Sequence, residues 1–494
     1  MMQQLTYDQQ AEQFLRELMR EYYEVGAGLK PELQLAQIYE RHADLFTAEA
    51  VRDRLDRVDG KASRHLAEFA TSSFISDRTK EFDEAVTNAE LRAMVEWDGE
   101  AIPYQNIRRR LIGEADWRRR HELAERAAQV MAQQNPVRQQ GLDRAHELAV
   151  ELGFDDYTTM VSRLKGLDLP GLVTQMRHLL AETGALYSQL LEDYLEPLAM
   201  PRDQVEASDL AYLFRAREYD NLFPAERLLP ALETTMRGLG LPLAGERAPT
   251  LDVEARPLKN PRAFCAPVQV PDEVYLVIKP VGGQDDFQAL MHEAGHAEHF
   301  SWVDREMPFA FRYLGDDAVS ETYAFLFEHL THNPRWLTTV LAAPPERAEA
   351  YHRFALFLKL WFLRRYAAKL IYELEHLHAR DPDPASAYVR LLSDALKIRI
   401  DPRRFLDDVD SAYYAAGYLR AWLFEMQLRA ALEARFGPAW WADPGAGAML
   451  RELWAIGIRD SVDELARRLG SEGLSLRPLL DELARLGPVG SQQG

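Results

Sequence analysis

The sequence places two histidines and a glutamate where they could hold a metal ion and use it. His292, Glu293 and His296 form the pattern His-Glu-x-x-His. On an α-helix, positions i and i+4 lie on one face, one turn apart, so both imidazoles can point at the same cation. Glu293 is close enough to act as a base on a water at that cation, as in zinc peptidases. The alternative is a chance match to a short pattern.

Glu321 is the candidate for a third ligand. Catalytic zinc usually takes three protein ligands and keeps a fourth position for water. The spacing between His296 and Glu321 leaves room for one loop and a returning antiparallel helix, which would turn Glu321 towards the histidines. Glu328 lies two turns farther along the same predicted helix and could accept a hydrogen bond from a ligand histidine. The alternative for Glu321 is a solvated helix glutamate.

Two predicted helices, over residues 285–303 and 316–331, must position these groups. Asp285 and Asp286 are acidic residues that suit the first turn of the first helix. Gly295 inside that helix costs about 1 kcal/mol relative to alanine, so we expect another helix or the substrate to approach it closely. His299 lies one turn beyond His296 and could support a ligand, contact substrate or simply face solvent.

A small β-sheet is predicted over residues 250–280, immediately before the first metal helix. Its segments are rich in β-branched and aromatic residues, and Pro267 indicates an edge strand. An exposed edge could pair with an extended peptide, and Cys265 and Ala266 are the positions we expect to bind substrate in this way. The alternative is a sheet that only closes the wall of a cleft. We expect the Cys265 side chain to pack as a small apolar group.

Composition indicates a soluble cytoplasmic protein. The chain has 494 residues, 47% of them hydrophobic, which is enough for a large core. Its formal net charge of -20 argues against nucleic acid or an anionic membrane as a partner. A single cysteine excludes internal disulfides, and we find neither a signal-peptide core nor a membrane span. The oligomeric state stays open.

The remaining chain is predicted to be mainly helical, and the sequence pattern changes near residue 246. Residues 1–245 are predicted to be nearly continuous helix, beginning with a capping box at Thr6–Gln9 and including a long helix near 104–134. We therefore divide the chain into a helical N-terminal part, 1–245, and a catalytic part, 246–494.

Several motifs together resemble the thimet oligopeptidase and oligoendopeptidase F family of zinc peptidases. These are the His-Glu-x-Gly-His-Ala-x-His segment beginning at His292, the Ser320-Glu321 pair with Glu328, the basic segment 252–264, and the tyrosine-rich segment 413–419. The clear resemblance covers about residues 250–430. Angiotensin-converting enzyme is similar in layout, more distantly.

The resemblance implies a mainly helical, two-lobed zincin with a deep central channel, whose N-terminal part forms one wall. It implies one zinc per chain, held by His292, His296 and Glu321, with Glu293 as the general base. Tyr418 would donate a hydrogen bond to the oxyanion, with Tyr414 as the fallback donor. The chain departs from the family where a Pro-Ser-Gln motif usually follows the ligand glutamate, and where a histidine and Gly-Tyr usually precede the tyrosine segment.

We therefore expect a zinc-dependent peptidase, most simply an endopeptidase, that hydrolyses short unstructured peptides. A peptidyl dipeptidase or a metallocarboxypeptidase of similar helical build is the nearer alternative, and it needs a cation for the C-terminal carboxylate of its substrate. Lys279, Arg312 and Arg420 are available for that role. A third alternative is an inactive zinc-binding scaffold that captures peptides.

Overall fold

The computed structural model describes residues 5–484 and shows a mainly α-helical protein with a small β-sheet, as predicted. The helices of the first half are α1 (Tyr7–Gly26), α2 (Leu35–Arg41), α3 (Ala48–Asp56), α4 (Lys61–Arg92), α5 (Ile107–Leu111), α6 (Trp117–Ala132), α7 (Asn135–Glu151), α8 (Tyr157–Lys165), α9 (Leu169–Glu182), α10 (Gly184–Leu195), α11 (Ala207–Phe214) and α12 (Leu228–Gly238).

The helices of the second half are α13 (Gln284–Trp302), α14 (Phe309–Arg312), α15 (Asp317–Leu330), α16 (Pro334–Val340), α17 (Pro345–Tyr372), α18 (Pro384–Leu396), α19 (Tyr414–Phe436), α20 (Pro444–Trp454), α21 (Val462–Arg468) and α22 (Arg477–Ala484). A turn of π-helix, Glu373–Leu377, follows α17. None of the helices within residues 5–484 is long and apolar enough to cross a bilayer.

The predicted sheet is present and has three strands. They are β3 (Thr250–Asp252), β4 (Phe264–Gln269) and β5 (Glu273–Val277), in the order β3-β5-β4. β5 pairs with β3 in parallel and with β4 in antiparallel register, which places Cys265 opposite Leu276. β4 is therefore an edge strand of this sheet, as Pro267 predicted, because proline cannot donate to a ladder on both sides.

Two features of the first half differ from the sequence prediction. An antiparallel hairpin, β1 (Met94–Trp97) and β2 (Glu100–Pro103), interrupts the helical stretch. Its Asp98-Gly99 turn has positive φ at both residues, which is the backbone that two-residue hairpins favour. The helix expected near 104–134 is broken between α5 and α6, where Asp116 caps the new helix by accepting from the backbone of Arg118.

The chain divides into two compact units, each made of separate segments of the sequence. The first contains residues 5–74, 218–355 and 420–479, and the second contains 75–217, 356–419 and 480–484. Both are discontinuous because α4, α17 and α19 each continue from one into the other. The role of residues 1–245 as a channel wall stays a prediction.

The first unit contains the sheet, α13 and α15. An aromatic core in this unit joins α1 to α4 and α14 through Phe14, Phe46, Phe69 and Phe309. A smaller cluster packs Tyr23 and Ala27, at the end of α1, against Ala266 and Val268 of β4. The predicted capping box at Thr6 and Gln9 begins α1. The edge strand is thus fixed from behind by an amphipathic helix.

Candidate metal centre

Helices α13 and α15, which carry the candidate ligands, approach each other closely at Gly295. A Cβ atom at that position would lie 2.4 Å from the carbonyl oxygen of Tyr323 and 2.6 Å from Cα of Ala324. Real Cβ atoms do not approach backbone so closely, so a side chain here would push the helices apart. The close approach of another helix, expected from the glycine in the sequence, is confirmed.

The N-terminus of α15 is anchored in the same unit by a buried ion pair. Asp316 precedes the helix and accepts a hydrogen bond from the backbone of Ala318. Arg420 binds both carboxylate oxygens of Asp316 at 2.8 Å. Burial raises the pKa of Asp316, but the Arg420 guanidinium outweighs this effect and holds the pKa below its usual range. Arg420 therefore fixes the helix that carries Glu321.

The structure brings His292, His296 and Glu321 together, as the spacing predicted. Nε2 of His292 lies 3.5 Å from Oε2 of Glu321, and Nε2 of His296 lies 3.8 Å from the same oxygen. One candidate ligand atom from each residue lies within 4.8 Å of the others. Ligands about 2.1 Å from a tetrahedral zinc lie roughly 3.4 Å apart, and the two nitrogen–oxygen separations are close to that value.

Each histidine of this triad has a different supporting group. Nδ1 of His292 donates to Oε2 of Glu328 at 2.8 Å, which is the contact expected from the position of Glu328 on α15. Nδ1 of His296 lies 2.7 Å from the hydroxyl oxygen of Ser320. Partners of this kind fix ring orientation and leave Nε2 facing the site. The two imidazoles are therefore held by a carboxylate and by a hydroxyl.

The electrostatic surroundings of the two histidines differ accordingly. Burial lowers the pKa of His292, but the nearby carboxylates of Glu321 and Glu328 outweigh burial and raise the pKa to about 10. Burial lowers the pKa of His296 to about 4, and Glu321 opposes that shift only in part. The two carboxylates therefore stabilise positive charge on His292, whereas His296 stays neutral.

Glu293 lies beside the triad and is held by the edge strand. The backbone N–H of Cys265, in β4, donates to Oε2 of Glu293 at 2.8 Å. Burial raises the pKa of Glu293, while His292 and the Cys265 N–H oppose the rise. A carboxyl with a raised pKa is better matched to taking and returning a proton near neutral pH.

The Cys265 contact also bears on the expected strand addition. An incoming peptide cannot bond to the N–H of Cys265 while Glu293 occupies it. Ala266 is buried. The Cys265 thiol is not positioned as a nucleophile, since burial raises its pKa well above the usual range. The role of Cys265 and Ala266 in binding substrate stays a prediction.

The remaining predicted residues lie in different places. His299 is fully buried, and its Nδ1 lies 3.3 Å from the Ser320 hydroxyl, so it is not a surface residue. Tyr414 and Tyr418 belong to the second unit, with their rings edge to face at 4.8 Å between centroids. Their role as oxyanion donors stays a prediction.

Two of the three cations considered for a substrate carboxylate are already engaged. Arg312 donates to Glu12 at 2.7 Å and to the backbone carbonyl of Val270 at 2.8 Å. Arg420 is bound to Asp316, as described above, and to Asp463. Lys279 makes no ion pair within the part of the chain that the structure describes, and it follows β5 in the first unit.

Ser320 is the residue of the site to which the sequence analysis assigned no role. A signal was present, because Ser320 directly precedes the candidate ligand on a helix that returns across α13. Small hydroxyl residues are common on buried helix faces, however, and only the packing of α13 against α15 shows that this hydroxyl lies between two imidazoles.

Comparisons with solved structures relate the fold to peptidases. A protein described as an oligoendopeptidase F from Bacillus anthracis strain Ames matches with a TM-score of 0.60 and 14% identity, over 97% of this chain and 84% of the other. PZ peptidase A, solved with an inhibitor, matches with a TM-score of 0.60 and 16% identity, over 99% of this chain and 87% of the other. The sequence matches no protein-family model and no curated protein. At these identities the likeness shows a shared mainly α-helical fold.

Proposed function

We propose that this protein is a zinc-dependent peptidase that hydrolyses short, unstructured peptides. The observation that carries the proposal is the convergence of His292, His296 and Glu321 with Glu293 beside them. Two imidazoles, one carboxylate and an adjacent carboxylate base form the residue set of a hydrolytic zinc site. The likeness to an oligoendopeptidase F and to PZ peptidase A supports the same reaction on peptides.

The chain's own residues would divide the work as follows. His292, His296 and Glu321 would hold the metal. A zinc ion held by these residues would supply Lewis-acid chemistry, lowering the pKa of a bound water and polarising a carbonyl group. Glu293 would take a proton from the attacking water and deliver it to the leaving amine, which its raised pKa favours. Glu328 and Ser320 would keep the two imidazoles oriented.

The negative charge that develops on the substrate carbonyl needs a donor. We propose Tyr418 for this role, with Tyr414 as the fallback, on the basis of the tyrosine segment 413–419. A single positioned donor of this kind contributes about 2.7–4 kcal/mol to transition-state stabilisation. Replacing Tyr418 with phenylalanine should therefore lower kcat with little change in KM, while zinc content stays the same.

Endopeptidase activity is the simplest form of the proposal, and the exopeptidase alternative rests on Lys279. Because Arg312 and Arg420 are bound to other groups, Lys279 is the candidate with its charge available to a substrate carboxylate. A cytoplasmic location would suit an enzyme whose one cysteine is reduced. An inactive peptide-capturing scaffold is the remaining alternative, and it leaves the position of Glu293 beside the triad without a use.

A digestion experiment separates these possibilities. A mixed library of synthetic peptides is incubated with the zinc-loaded protein, and the cut positions are read by mass spectrometry. Cuts inside peptides support an endopeptidase, and release of dipeptides or single residues from the C-terminus supports the exopeptidases. In the same digestion, Lys279→Met should reduce release from the C-terminus and leave cuts inside peptides unchanged. If no peptide in the library is cut, the inactive peptide-capturing scaffold is the alternative that remains.

A further inference from the structure

The hydroxyl of Ser320 lies between two buried imidazoles. Its oxygen is 2.7 Å from Nδ1 of His296 and 3.3 Å from Nδ1 of His299. Ser320 and His299 are both buried, so water does not compete for these contacts. A serine hydroxyl has one proton to donate and can accept as well, so it can link the two rings in one direction at a time.

Only one direction of this chain leaves His296 able to bind a metal. A neutral imidazole carries one proton, on Nδ1 or on Nε2. If His296 donates from Nδ1 to Ser320, then Nε2 keeps its lone pair and faces Glu321. Ser320 must then donate to Nδ1 of His299. In the reverse direction the proton of His296 would be on Nε2, where it blocks a metal.

The surroundings of His299 are compatible with the metal-binding direction. Burial lowers the pKa of His299 to about 3, so the ring is neutral and has a nitrogen lone pair available to Ser320. A neutral His299 can therefore accept a hydrogen bond from Ser320 at Nδ1.

We propose that Ser320 and His299 are positioning residues that fix the tautomer of His296 through the chain His296–Ser320–His299, and so set the affinity of the site for zinc. The inference rests on the proposed metal centre. It gives His296 a hydroxyl as its supporting group, whereas His292 is supported by the carboxylate of Glu328. His299 would act through Ser320, to which its Nδ1 is hydrogen-bonded. Losing the hydroxyl frees His296 to rotate and to change tautomer.

The test measures the zinc dissociation constant by competition with a chromophoric chelator. Ser320→Ala should weaken zinc binding about 10-fold, within the range typical of groups that orient a ligand. Ser320→Thr keeps a hydroxyl and should bind zinc as the wild type does. Ser301→Ala is the matched control, because it removes another buried serine hydroxyl from the metal helix without touching a ligand, and its affinity should not change.

A double variant distinguishes positioning from general damage to the structure. His299→Phe removes the acceptor and keeps a ring, so it should weaken zinc binding. If His299 acts through Ser320, the pair Ser320→Ala and His299→Phe should bind zinc no more weakly than Ser320→Ala alone. Effects that multiply would overturn the inference. The thermal midpoints of the metal-free variants show whether each variant folds. If Ser320→Ala does not fold, the zinc affinities of Ser320→Thr and His299→Phe test the inference in its place.

The outcomes also separate this inference from the proposed function. Zinc bound equally by the wild type and by Ser320→Ala would overturn the role of the hydroxyl and leave the metal centre in place. A wild-type protein that holds no zinc would overturn both.

Discussion

Glu293 is the residue whose contacts define the chemistry most narrowly. It belongs to α13 but is held by the N–H of Cys265 in β4, so helix and strand together set where its carboxylate points. Its neighbours on the same helix, His292 and His296, face Glu321. One residue therefore has a base-like position without being part of the ligand set.

Replacing Glu293 with glutamine separates binding from chemistry. The amide oxygen can still accept from Cys265, so folding and zinc content should stay as in the wild type. Turnover of a peptide substrate should fall about 10²–10⁴-fold, because the general base is lost while KM changes little. Zinc content is measured by atomic emission and turnover by chromatography of the products. Wild-type kcat in this variant would show that another group is the base.

Replacing Glu321 with glutamine should weaken the metal site itself. Loss of a charged ligand should lower zinc affinity by more than the roughly 10–100-fold typical of residues that only orient ligands. The matched control is Glu298→Gln, which changes a buried glutamate of α13. The Glu298 carboxylate accepts a hydrogen bond from Trp302, and burial raises the pKa of Glu298 to about 8. Zinc retention after dialysis should fall only in the Glu321 variant. Equal retention in both variants would exclude Glu321 as a ligand.

Among the helices and strands, the packing of α13 against α15 determines whether the site forms. Gly295 permits the approach that brings Glu321 to the histidines. Gly295→Ala should destabilise the protein by at least about 1–3 kcal/mol, because the added methyl meets backbone that cannot yield. Gly184→Ala is the control, since nothing lies within 4 Å of a Cβ there. Unfolding by urea measures both, and a Gly295 variant as stable as its control would contradict the packing.

The second unit contains a buried histidine pair that makes its stability depend on pH. Nε2 of His146 and Nδ1 of His378 lie 3.0 Å apart beneath Tyr157. Burial, and to a lesser extent His146, lower the pKa of His378 to about 3. In the unfolded chain His378 takes up a proton near pH 6.5, whereas in the folded chain it does not. The stabilisation is therefore complete above about pH 6.5 and is lost gradually as the pH falls towards 3.

His378→Gln tests this dependence. Between pH 7 and pH 5, the wild type should lose about 2 kcal/mol more unfolding free energy than the variant, since only the wild type has this histidine to protonate on unfolding. Urea titrations at the two pH values provide the comparison. The same loss in both proteins would mean that His378 titrates normally in the folded chain.

Elements with strong local signals were predictable, and those set by tertiary packing were not. The periodicity and capping residues predicted α1, α13 and α15, and β-branched runs with Pro267 predicted the sheet and its edge. The hairpin at 94–103 was missed because its strands are short and lie between long helical patterns. The break between α5 and α6 was missed because the arginines on both sides continue the helical composition.

The same distinction holds for the site. His292, His296 and Glu321 could be named from spacing, since the helix places i and i+4 on one face. The link from His296 through Ser320 to His299 could not, because it depends on how deeply α15 packs on α13. The contact from Cys265 to Glu293 likewise depends on the distance between a strand and a helix, which spacing does not determine.

For the whole molecule, the proposed chemistry limits the kind of substrate. A peptide must be extended to lie along an edge strand such as β4 and to present one carbonyl beside Glu293. A folded protein supplies such a segment only by local unfolding, which costs up to its global stability. We therefore expect cleavage of peptides of about 5–20 residues, the size that a sheltered site admits, and little action on folded proteins.

A side-by-side digestion measures this selectivity. Peptides of increasing length and intact globular proteins are supplied at equal molar concentration, and products are followed over time. The peptides should be cut at least tenfold faster, because each 1.4 kcal/mol of local unfolding lowers the accessible population tenfold. Equal rates for both kinds of substrate would show that the site is open to folded chains.

We propose that one zinc ion, held by His292, His296 and Glu321, makes this chain a peptidase. The most direct test strips the protein of metal with a chelator and restores zinc in steps while peptide cleavage is measured. The proposed site predicts no cleavage without metal, a linear rise, and a plateau at about one zinc per chain, as three protein ligands in a single centre imply. Cleavage that survives metal removal, or that never appears as zinc is restored, would contradict it.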